Sequence, residues 1–245
     1  MYSDDATIFT LPDLNGCSVV ELRQYTLHPN QRDVLIELFD REFVETQEAV
    51  GMRVIGQFRD LDDPDRFVWL RGFGDMAARQ RGLAAFYGGP VWAAHRDAAN
   101  STMVDSDNVL LLRPAWSGAG IDSPQGLRPP PGAQAIPAGR VEVTVFHLKQ
   151  PATAQLLTLC RDRTVRTTML GWYITEPSSN TFPRLPVREG ENVLVGFELL
   201  AAASAPALRD RGLRATDLAA MLSPWLTKPP ESLRLVPTAR SALHA

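Results

Sequence analysis

The chain has 245 residues, of which 44% are hydrophobic and 22% charged, with a formal net charge of −3. This composition is typical of globular proteins and excludes fibrous or disordered chains, and the slight negative charge argues against nucleic acid as a partner. No apolar run is long enough for a membrane span, and the acidic first residues predict no secretory signal, so we expect a cytoplasmic protein with no membrane partner. Cys17 and Cys160 lie too far apart to predict a zinc cluster or a disulfide framework.

The first predicted unit covers residues 17–114. In residues 19–27 apolar and polar side chains alternate, which predicts a strand. Val20 and Leu22 share one face of this strand, and the other face carries Glu21, Arg23 and Tyr25. Apolar spacing and breaker residues predict a helix, two strands, two short helices and a last strand, in residues 30–50, 53–58, 67–73, 75–86, 91–101 and 109–112.

A second unit with the same order is predicted at residues 139–237. A Pro- and Gly-rich linker at 115–138 precedes it, and residues 1–16 and 238–245 are interpreted as a leader and a tail. Its predicted elements are a strand at 140–148, a helix near 156–160, strands at 172–174 and 193–197, a helix at 208–222 and a strand at 233–237. We therefore expect an α+β protein with tandem ferredoxin-like (βαββαβ) repeats that form a dimeric-type α+β barrel within one chain.

Several fragments of the first unit occur in an ordered series: Glu21 to Tyr25, Val50-Gly51, Phe58 to Asp60, the acidic turn Asp62 to Asp65, Phe67 to Phe73, and Arg79 to Tyr87 with Trp92. Together they resemble the NIPSNAP family over about residues 18–114. The second unit fits as a degenerate copy, because Thr144 and Phe146 stand where the first unit has Arg23 and Tyr25. The resemblance implies the dimeric α+β barrel fold, which is shared with cofactor-free antibiotic-biosynthesis monooxygenases and several haem enzymes. It implies no single reaction.

One face of each sheet in such a fold packs on helices, and the other faces the barrel interior. Because Val20 and Leu22 are expected to meet the helices, we predict that Glu21, Arg23 and Tyr25 point into the interior. Trp69 and Arg71 share a face of the third strand. This would be an aromatic cavity in which Arg23 and Arg71 hold a carboxylate, enolate or phenolate and Tyr25 donates to an oxyanion. Alternatively, Glu21 pairs with these arginines as a structural bridge.

His95 lies three residues after Trp92 on a predicted helix, so the two share a face. His95 is a candidate general base, or an iron ligand if the chain binds haem, and otherwise a surface histidine. Trp92 and Tyr87 are candidate substrate contacts. Alternatively, Trp92 belongs to the hydrophobic core, and Tyr87 only marks the end of a helix. His147 has the parity of residues expected to face the helices, which predicts a buried, hydrogen-bonded histidine. The acidic turn at residues 62–65 allows a divalent cation, but hairpin turns commonly carry such acids, so no metal is predicted.

Three functions remain open at this level. The first is a cofactor-independent enzyme of secondary metabolism, monooxygenase-like or cyclase/isomerase-like, that acts on an apolar or aromatic small molecule. The second is a haem enzyme or haem carrier with His95 as ligand, and the third is a non-catalytic ligand-binding or assembly protein. The sequence lacks G-x-G-x-x-G, Walker, HExxH and G-x-S-x-G patterns, so nucleotide, zinc-protease and serine-hydrolase functions have no support. A homodimer is compatible with all three functions.

Overall fold

The computed structural model describes residues 17–121, 128–164, 169–200 and 215–244. The predicted leader at 1–16 and part of the helix predicted at 208–222 lie outside these ranges. Within them the strands are β1 (Val19–Leu27), β2 (Arg53–Asp60), β3 (Arg66–Phe73), β4 (Met103–Pro114), β5 (Arg140–His147), β6 (Met169–Thr175), β7 (Val193–Leu200) and β8 (Glu231–Pro237). The helices are α1 (Arg32–Leu38), α2 (Val44–Glu48), α3 (Met76–Tyr87), α4 (Pro90–Asn100), α5 (Ala154–Thr164) and α6 (Ala215–Leu222). None of these helices is long and apolar enough to cross a membrane.

The eight strands form one closed, antiparallel barrel in the order β1-β3-β2-β8-β5-β7-β6-β4. Strands β1 to β4 form one continuous half of the barrel wall, and β5 to β8 form the other. The halves meet where β2 pairs with β8 and where β4 pairs with β6, and each junction has only three register pairs. The predicted mixed α+β class is confirmed, and the barrel is built by strands from both halves of the chain.

The barrel interior is filled by apolar side chains from both halves. Val20 and Leu22 of β1 are fully buried there, packed in one cluster with Val143, Val195 and Leu235 from the other half. The prediction that Glu21, Arg23 and Tyr25 point into the interior is therefore wrong. An eight-stranded barrel is only wide enough to be filled by its own side chains, and an apolar filling offers a charged group no partner.

Glu21, Arg23 and Tyr25 instead lie between the first half-sheet and its helices. Helices α1 to α4 cover this outer face, and the apolar part of the layer includes Tyr25 and Trp69 together with Phe39 and Phe43. Phe39–Phe43 is a π-helical turn between α1 and α2, and such turns often occur at functional sites. Gly51, with φ of 83°, allows the chain to reverse after α2.

A separate apolar layer covers the second half-sheet. Phe146 and Trp172 pack there with Cys160 of α5 and Leu222 of α6. His147 has the parity of Val143 and therefore belongs to the interior side of β5, so the prediction that it faces the helices is wrong. Its prediction as a buried, hydrogen-bonded residue is confirmed, because its side chain is 7% exposed and its Nε2 lies 2.8 Å from Glu231 Oε1.

The described parts of the linker have no helix or strand, as the sequence predicts, but they pack against the barrel. Arg128 donates a 2.8 Å hydrogen bond to Glu48 of α2. The interpretation of residues 238–245 as a tail is wrong for the described part, residues 238–244. Leu243 is fully buried in the interior cluster, and Arg240 is paired with Glu45. The segment lies against β2, where the Gln57 amide donates to Ser241 Oγ at 3.2 Å, and the buried Leu243 side chain extends the apolar filling of the interior.

Candidate functional site

Four charged side chains meet beneath the helices of the first half. Glu21 Oε2 accepts from Arg23 Nη1 at 2.7 Å and from Arg71 Nη2 at 2.6 Å, and Glu21 Oε1 accepts from Arg79 Nε at 2.7 Å. Glu21 and Arg71 are directly opposed on β1 and β3, while Arg79 reaches down from α3. All four side chains are at most 1% exposed. We call these four residues the arginine cluster.

The arginine cluster holds three guanidinium cations against one carboxylate. Burial by itself would raise the pKa of Glu21, but the Arg71, Arg23 and Arg79 cations hold this pKa well below its usual range. Glu21 is therefore ionised, and the arginines remain charged at any physiological pH. Buried charges without compensation are costly, so an excess of positive charge at a buried position favours the binding of an anion.

Two tyrosines and a glutamine surround the arginine cluster. Tyr25 OH accepts from Arg23 Nε at 3.0 Å, and Arg71 Nη1 donates to Gln47 Oε1 at 3.0 Å and, at 3.5 Å, to Tyr87 OH. Burial raises the pKa of Tyr25, so its phenol keeps its proton and can donate it in a hydrogen bond.

Trp69 is the aromatic platform of the site. The guanidinium carbons of Arg71 and Arg23 lie 5.0 and 5.5 Å from the centre of its ring. Such cation–π contacts stabilise a cation without neutralising it, because the ring supplies a quadrupole and no charge. The positive charge of the arginine cluster therefore remains available to an anion.

The second half of the chain also contributes to this site. Asn180 Oδ1 and Thr181 Oγ1, in the β6–β7 connection, accept from Arg79 Nη1 at 2.9 and 3.1 Å. Phe182 stacks on Tyr87, with ring centres 5.9 Å apart and planes 29° from parallel. Phe182, Gln47 and the role of Arg79 are not among the residues predicted from the sequence. Arg79 precedes Leu83 and Phe86 by four and seven residues, and this helical spacing could have shown that it faces the sheet.

A small cavity adjoins the arginine cluster. Its volume is about 30 Å³, and the residues around it include Tyr25, Phe39, Gln47, Trp69, Tyr87 and Trp92. This volume matches one water molecule rather than a ligand. The structure thus brings together seven of the residues that the sequence singles out, Glu21, Arg23, Tyr25, Trp69, Arg71, Tyr87 and Trp92, but leaves little free space among them.

His95 is not part of this group. Its side chain is 32% exposed, its Nε2 lies 3.5 Å from Glu42 Oε2, and its ring meets the edge of Phe43. It is not among the residues around the cavity. The residues present do not fit haem with His95 as ligand, because the nearby carboxylate faces Nε2 and the adjacent cavity is far smaller than a porphyrin.

A larger pocket of about 390 Å³ lies on the outside of the barrel, against β4, β6 and the β6–β7 connection. Arg113 and Arg188 line it together with Glu176, Glu189 and Glu191. Arg188 is already paired with Glu191 at 2.6 Å. The pocket has room for a small molecule, but its charges are mixed and partly paired, so it lacks the uncompensated charge of the arginine cluster.

The arginine cluster has no equivalent in the described part of the second half. On β5 and β7, Glu142 is opposed to Glu198, and Thr144 is opposed to Gly196, where the first half pairs Glu21 with Arg71 and Arg23 with Trp69. Two strands with the same parity therefore carry a cationic site in one half and none in the other.

The acidic turn at residues 62–65 is occupied by ion pairs. Asp62 accepts from Arg234 Nε at 2.9 Å, and Asp63 lies 3.0 Å from Arg66. Within the described ranges, no group of three or more His, Cys, Asp and Glu side chains could hold a metal ion.

Comparisons with known proteins place this geometry in a family context. Residues 20–118 match the NIPSNAP family model. A proposed monooxygenase from Fusobacterium nucleatum subsp. nucleatum has a similar structure, with a TM-score of 0.60, 9% identity, and 90% of this chain and 92% of that chain covered. A proposed monooxygenase from Lactobacillus acidophilus has a TM-score of 0.56 and 12% identity, with 91% of this chain and 97% of that chain covered. An anthrone oxidase-like protein has a TM-score of 0.52 and 13% identity, with 96% of this chain and 99% of that chain covered.

A search of the curated proteins gave no match. The identities with the three solved structures are so low that these likenesses show the fold alone. The family match covers β1 to β4 and every member of the arginine cluster. The part of the chain that carries the candidate site is therefore the part that matches the NIPSNAP family model.

Proposed function

We propose that the protein binds a small aromatic molecule through an acidic oxygen and holds it as an anion at the arginine cluster. The observation that carries this proposal is the burial of three arginines around the single carboxylate of Glu21. A phenolate, enolate or carboxylate would compensate the remaining positive charge through charge-assisted hydrogen bonds. The aromatic rings of Trp69 and Tyr87 beside the arginines suit a flat, apolar ligand body.

The site would act by lowering the pKa of its ligand. Glu21 is committed to three arginines and has a depressed pKa, and Tyr25 has a raised one, so neither is a base of intermediate strength. A ligand phenol or enolisable ketone would instead lose its proton to solvent, because the guanidiniums stabilise the product anion. The Tyr25 hydroxyl group then donates to the anionic oxygen.

An electron-rich anion of this kind reacts with dioxygen, which supports a cofactor-independent oxygenase of secondary metabolism. The names of three structures with a similar fold point to the same chemistry. Anthrone is a suitable test substrate because its methylene protons are acidic. Oxidation to anthraquinone consumes one dioxygen: the carbon loses both hydrogens and gains one oxygen, and the other oxygen leaves as water. A cyclase or isomerase would use the same anion without dioxygen.

Ligand binding without turnover is the second candidate function. It is favoured by the small volume of the cavity, about 30 Å³, and by the absence of a general base among the described residues that surround it. In that case the arginine cluster would serve affinity alone.

The chain architecture suits a single such site. We propose two ferredoxin-like repeats, residues 17–114 and 139–237, joined by the linker at 115–138. Both halves have the order strand, helix, two strands, helix, strand, and in each the first strand lies between the fourth and the third. The second repeat would then be the degenerate copy, which supplies scaffold and the β6–β7 connection.

Calorimetric titration with 2-naphthoate tests the anion site, and neutral 2-naphthamide is the matched probe. We expect naphthoate to bind at least about tenfold more tightly than the amide. Arg23→Met should remove this preference, and Tyr25→Phe, which keeps the ring, should weaken naphthoate binding several-fold. Arg113→Met removes an exposed arginine outside the cluster and is the charge-matched control. Equal affinity for both probes in the wild-type protein would overturn the proposal.

Oxygen uptake with anthrone then separates the two candidate functions. Catalysis predicts one dioxygen consumed per anthraquinone formed, with a rate that falls in the Arg23→Met variant and not in the Arg113→Met variant. Charge-selective binding with no oxygen uptake beyond the protein-free rate would favour the binding function.

A further inference from the structure

We propose that Asn180, Thr181 and Phe182 occupy the place of the ligand, and that a bound aromatic acid displaces them. This inference rests on the proposed function, because it assigns these three residues as an internal stand-in for the ligand of the arginine cluster. It also defines the ligand class more closely, as an aromatic ring with an acidic oxygen group close to the ring.

The side-chain oxygens of the stand-in, from Asn180 and Thr181, contact Arg79. Asn180 Oδ1 and Thr181 Oγ1 both accept from Nη1 of Arg79, at 2.9 and 3.1 Å. Both acceptors are neutral, and Nη2 of the same guanidinium is buried without a hydrogen-bond partner among the described residues. A carboxylate or phenolate at this position would replace neutral acceptors by an anionic one, which adds the attraction between opposite charges to the hydrogen bond from the guanidinium.

The aromatic half of the stand-in is Phe182. Its side chain is 8% exposed and stacks on Tyr87, whose hydroxyl group lies 3.5 Å from Arg71. Consecutive residues thus present oxygen acceptors and a ring to one face of the site, which is the chemistry expected of an aromatic acid. Tyr87, on which the Phe182 ring stacks, also lines the neighbouring cavity.

The stand-in segment is held mainly by bonds within its own connection. Asn180 Nδ2 donates to the Leu185 carbonyl at 2.9 Å, the Phe182 amide donates to Asn180 Oδ1 at 3.0 Å, and the Leu185 amide donates to the Phe182 carbonyl at 3.0 Å. Among the described residues, its hydrogen bonds to the first half of the chain are those from Arg79 and a long one, at 3.4 Å, that Thr181 Oγ1 donates to the Met76 carbonyl. The segment can therefore leave the site as a unit without breaking a strand ladder.

Phe182→Ala tests the stand-in by emptying the ring position, with calorimetric titration of 2-naphthoate as the readout. We expect naphthoate to bind at least about fivefold more tightly to Phe182→Ala than to the wild-type protein, because the ligand no longer competes with the ring. Val187→Ala is the matched control, since Val187 belongs to the same connection but lines the outer pocket. Its affinity should equal that of the wild-type protein.

Hydrogen exchange in the wild-type protein gives an independent readout that does not depend on the folding of a variant. Saturation with naphthoate should speed amide exchange at Phe182 and Leu185, because a segment that has lost its contacts with Arg79 and Tyr87 no longer has its internal hydrogen bonds held in place and opens more often. Slower exchange there, or unchanged or weaker binding by Phe182→Ala, would overturn the stand-in and leave the anion site itself intact. Failure of both proteins to prefer naphthoate over 2-naphthamide would overturn the proposed function and this inference together.

Discussion

Arg71 donates two hydrogen bonds to the same oxygen of Glu21, through Nη2 at 2.6 Å and through Nε at 3.0 Å. The two residues are directly opposed on β1 and β3, and both are fully buried. The other oxygen of Glu21 is therefore left to Arg79. Arg71 therefore donates two hydrogen bonds to Glu21, whereas Arg23 and Arg79 donate one each.

Glu21→Gln should destabilise the protein by about 3 to 5 kcal/mol at neutral pH, because three buried guanidiniums lose their only carboxylate. Urea unfolding measures this loss. Glu142→Gln is the matched control at the corresponding position of β5, where the carboxylate is 31% exposed and pairs with Arg140. Its effect should stay below about 1 kcal/mol.

The effect of Glu21→Gln should also depend on pH. The pKa of Glu21 is lower in the folded state than in the unfolded state. The stabilisation by ionised Glu21 is therefore complete at a pH above the unfolded-state pKa, and it is lost as the pH falls toward the folded-state pKa. The difference in unfolding free energy between wild type and Glu21→Gln should therefore shrink below about pH 4.5. A constant difference from pH 7 to pH 3 would contradict the ionised state of Glu21.

Arg23→Met should be better tolerated than Arg71→Met. Without Arg23, Glu21 Oε2 keeps both bonds from Arg71, and the excess of buried positive charge falls, so we expect a loss of about 1 kcal/mol. Without Arg71, Glu21 Oε2 keeps only the bond from Arg23, and Gln47 Oε1 loses the donor Arg71 Nη1, so we expect a loss of about 3 kcal/mol. Urea unfolding of the two variants checks the order, and equal losses would contradict it.

Leu243→Ala should cost about 2 to 5 kcal/mol, because Leu243 is fully buried in the barrel interior despite its place near the end of the sequence. Thermal and urea unfolding measure the loss. Val34→Ala is the control, since Val34 is 51% exposed and should change stability by less than about 0.5 kcal/mol. A neutral Leu243→Ala variant would show that the Leu243 side chain does not pack in the barrel interior in solution.

Asp40→Asn should stabilise the protein at high pH. Burial raises the pKa of Asp40 to about 6, against the hydrogen bond from Gln57, so the folded state holds this proton more tightly than the unfolded state. Ionisation of Asp40 therefore lowers stability as pH rises from about 4 to above 6. We expect Asp40→Asn to gain about 1 to 3 kcal/mol at pH 8 and little at pH 4.

Urea unfolding of wild type and Asp40→Asn at both pH values measures this gain. The contributions of all other titratable groups to the unfolding free energy cancel in the comparison, because both proteins contain them. Asp33→Asn, at a 74% exposed position of α1, is the charge-matched control. A gain for Asp40→Asn that is equal at pH 4 and pH 8 would contradict the raised pKa.

The order of the strands could be predicted from the sequence because each strand has its own local signal. β1 has the predicted bounds, since alternation over nine residues is unambiguous. The direction of its faces could not be predicted in the same way. Parity shows that Glu21 and Arg23 share a face, but both faces of β1 are buried, and the barrel interior and the helix layer each accept apolar residues equally well.

Most of the candidate site could be predicted as a set of residues, and the rest could not for a similar reason. Trp69 and Arg71 were found because strand parity groups them with their neighbours. His95 shares a side of its helix with Trp92, as predicted, and both rings contact Phe43, but helical spacing does not give the distance of His95 from the arginine cluster. Phe182 lies in the β6–β7 connection, whose Thr181 is 102 residues after Arg79 in the sequence, and no local pattern indicates a contact over such a separation.

The two three-pair junctions between the halves have a mechanical consequence. Within each half, β1 and β3 or β5 and β7 are joined over eight register pairs, whereas β2–β8 and β4–β6 have three each. Fewer backbone hydrogen bonds therefore join the two sheets than hold each sheet together, and the shared interior cluster is what mainly keeps the halves in contact. We expect the backbone amides at these two seams to exchange faster than those of the β1–β3 and β5–β7 ladders.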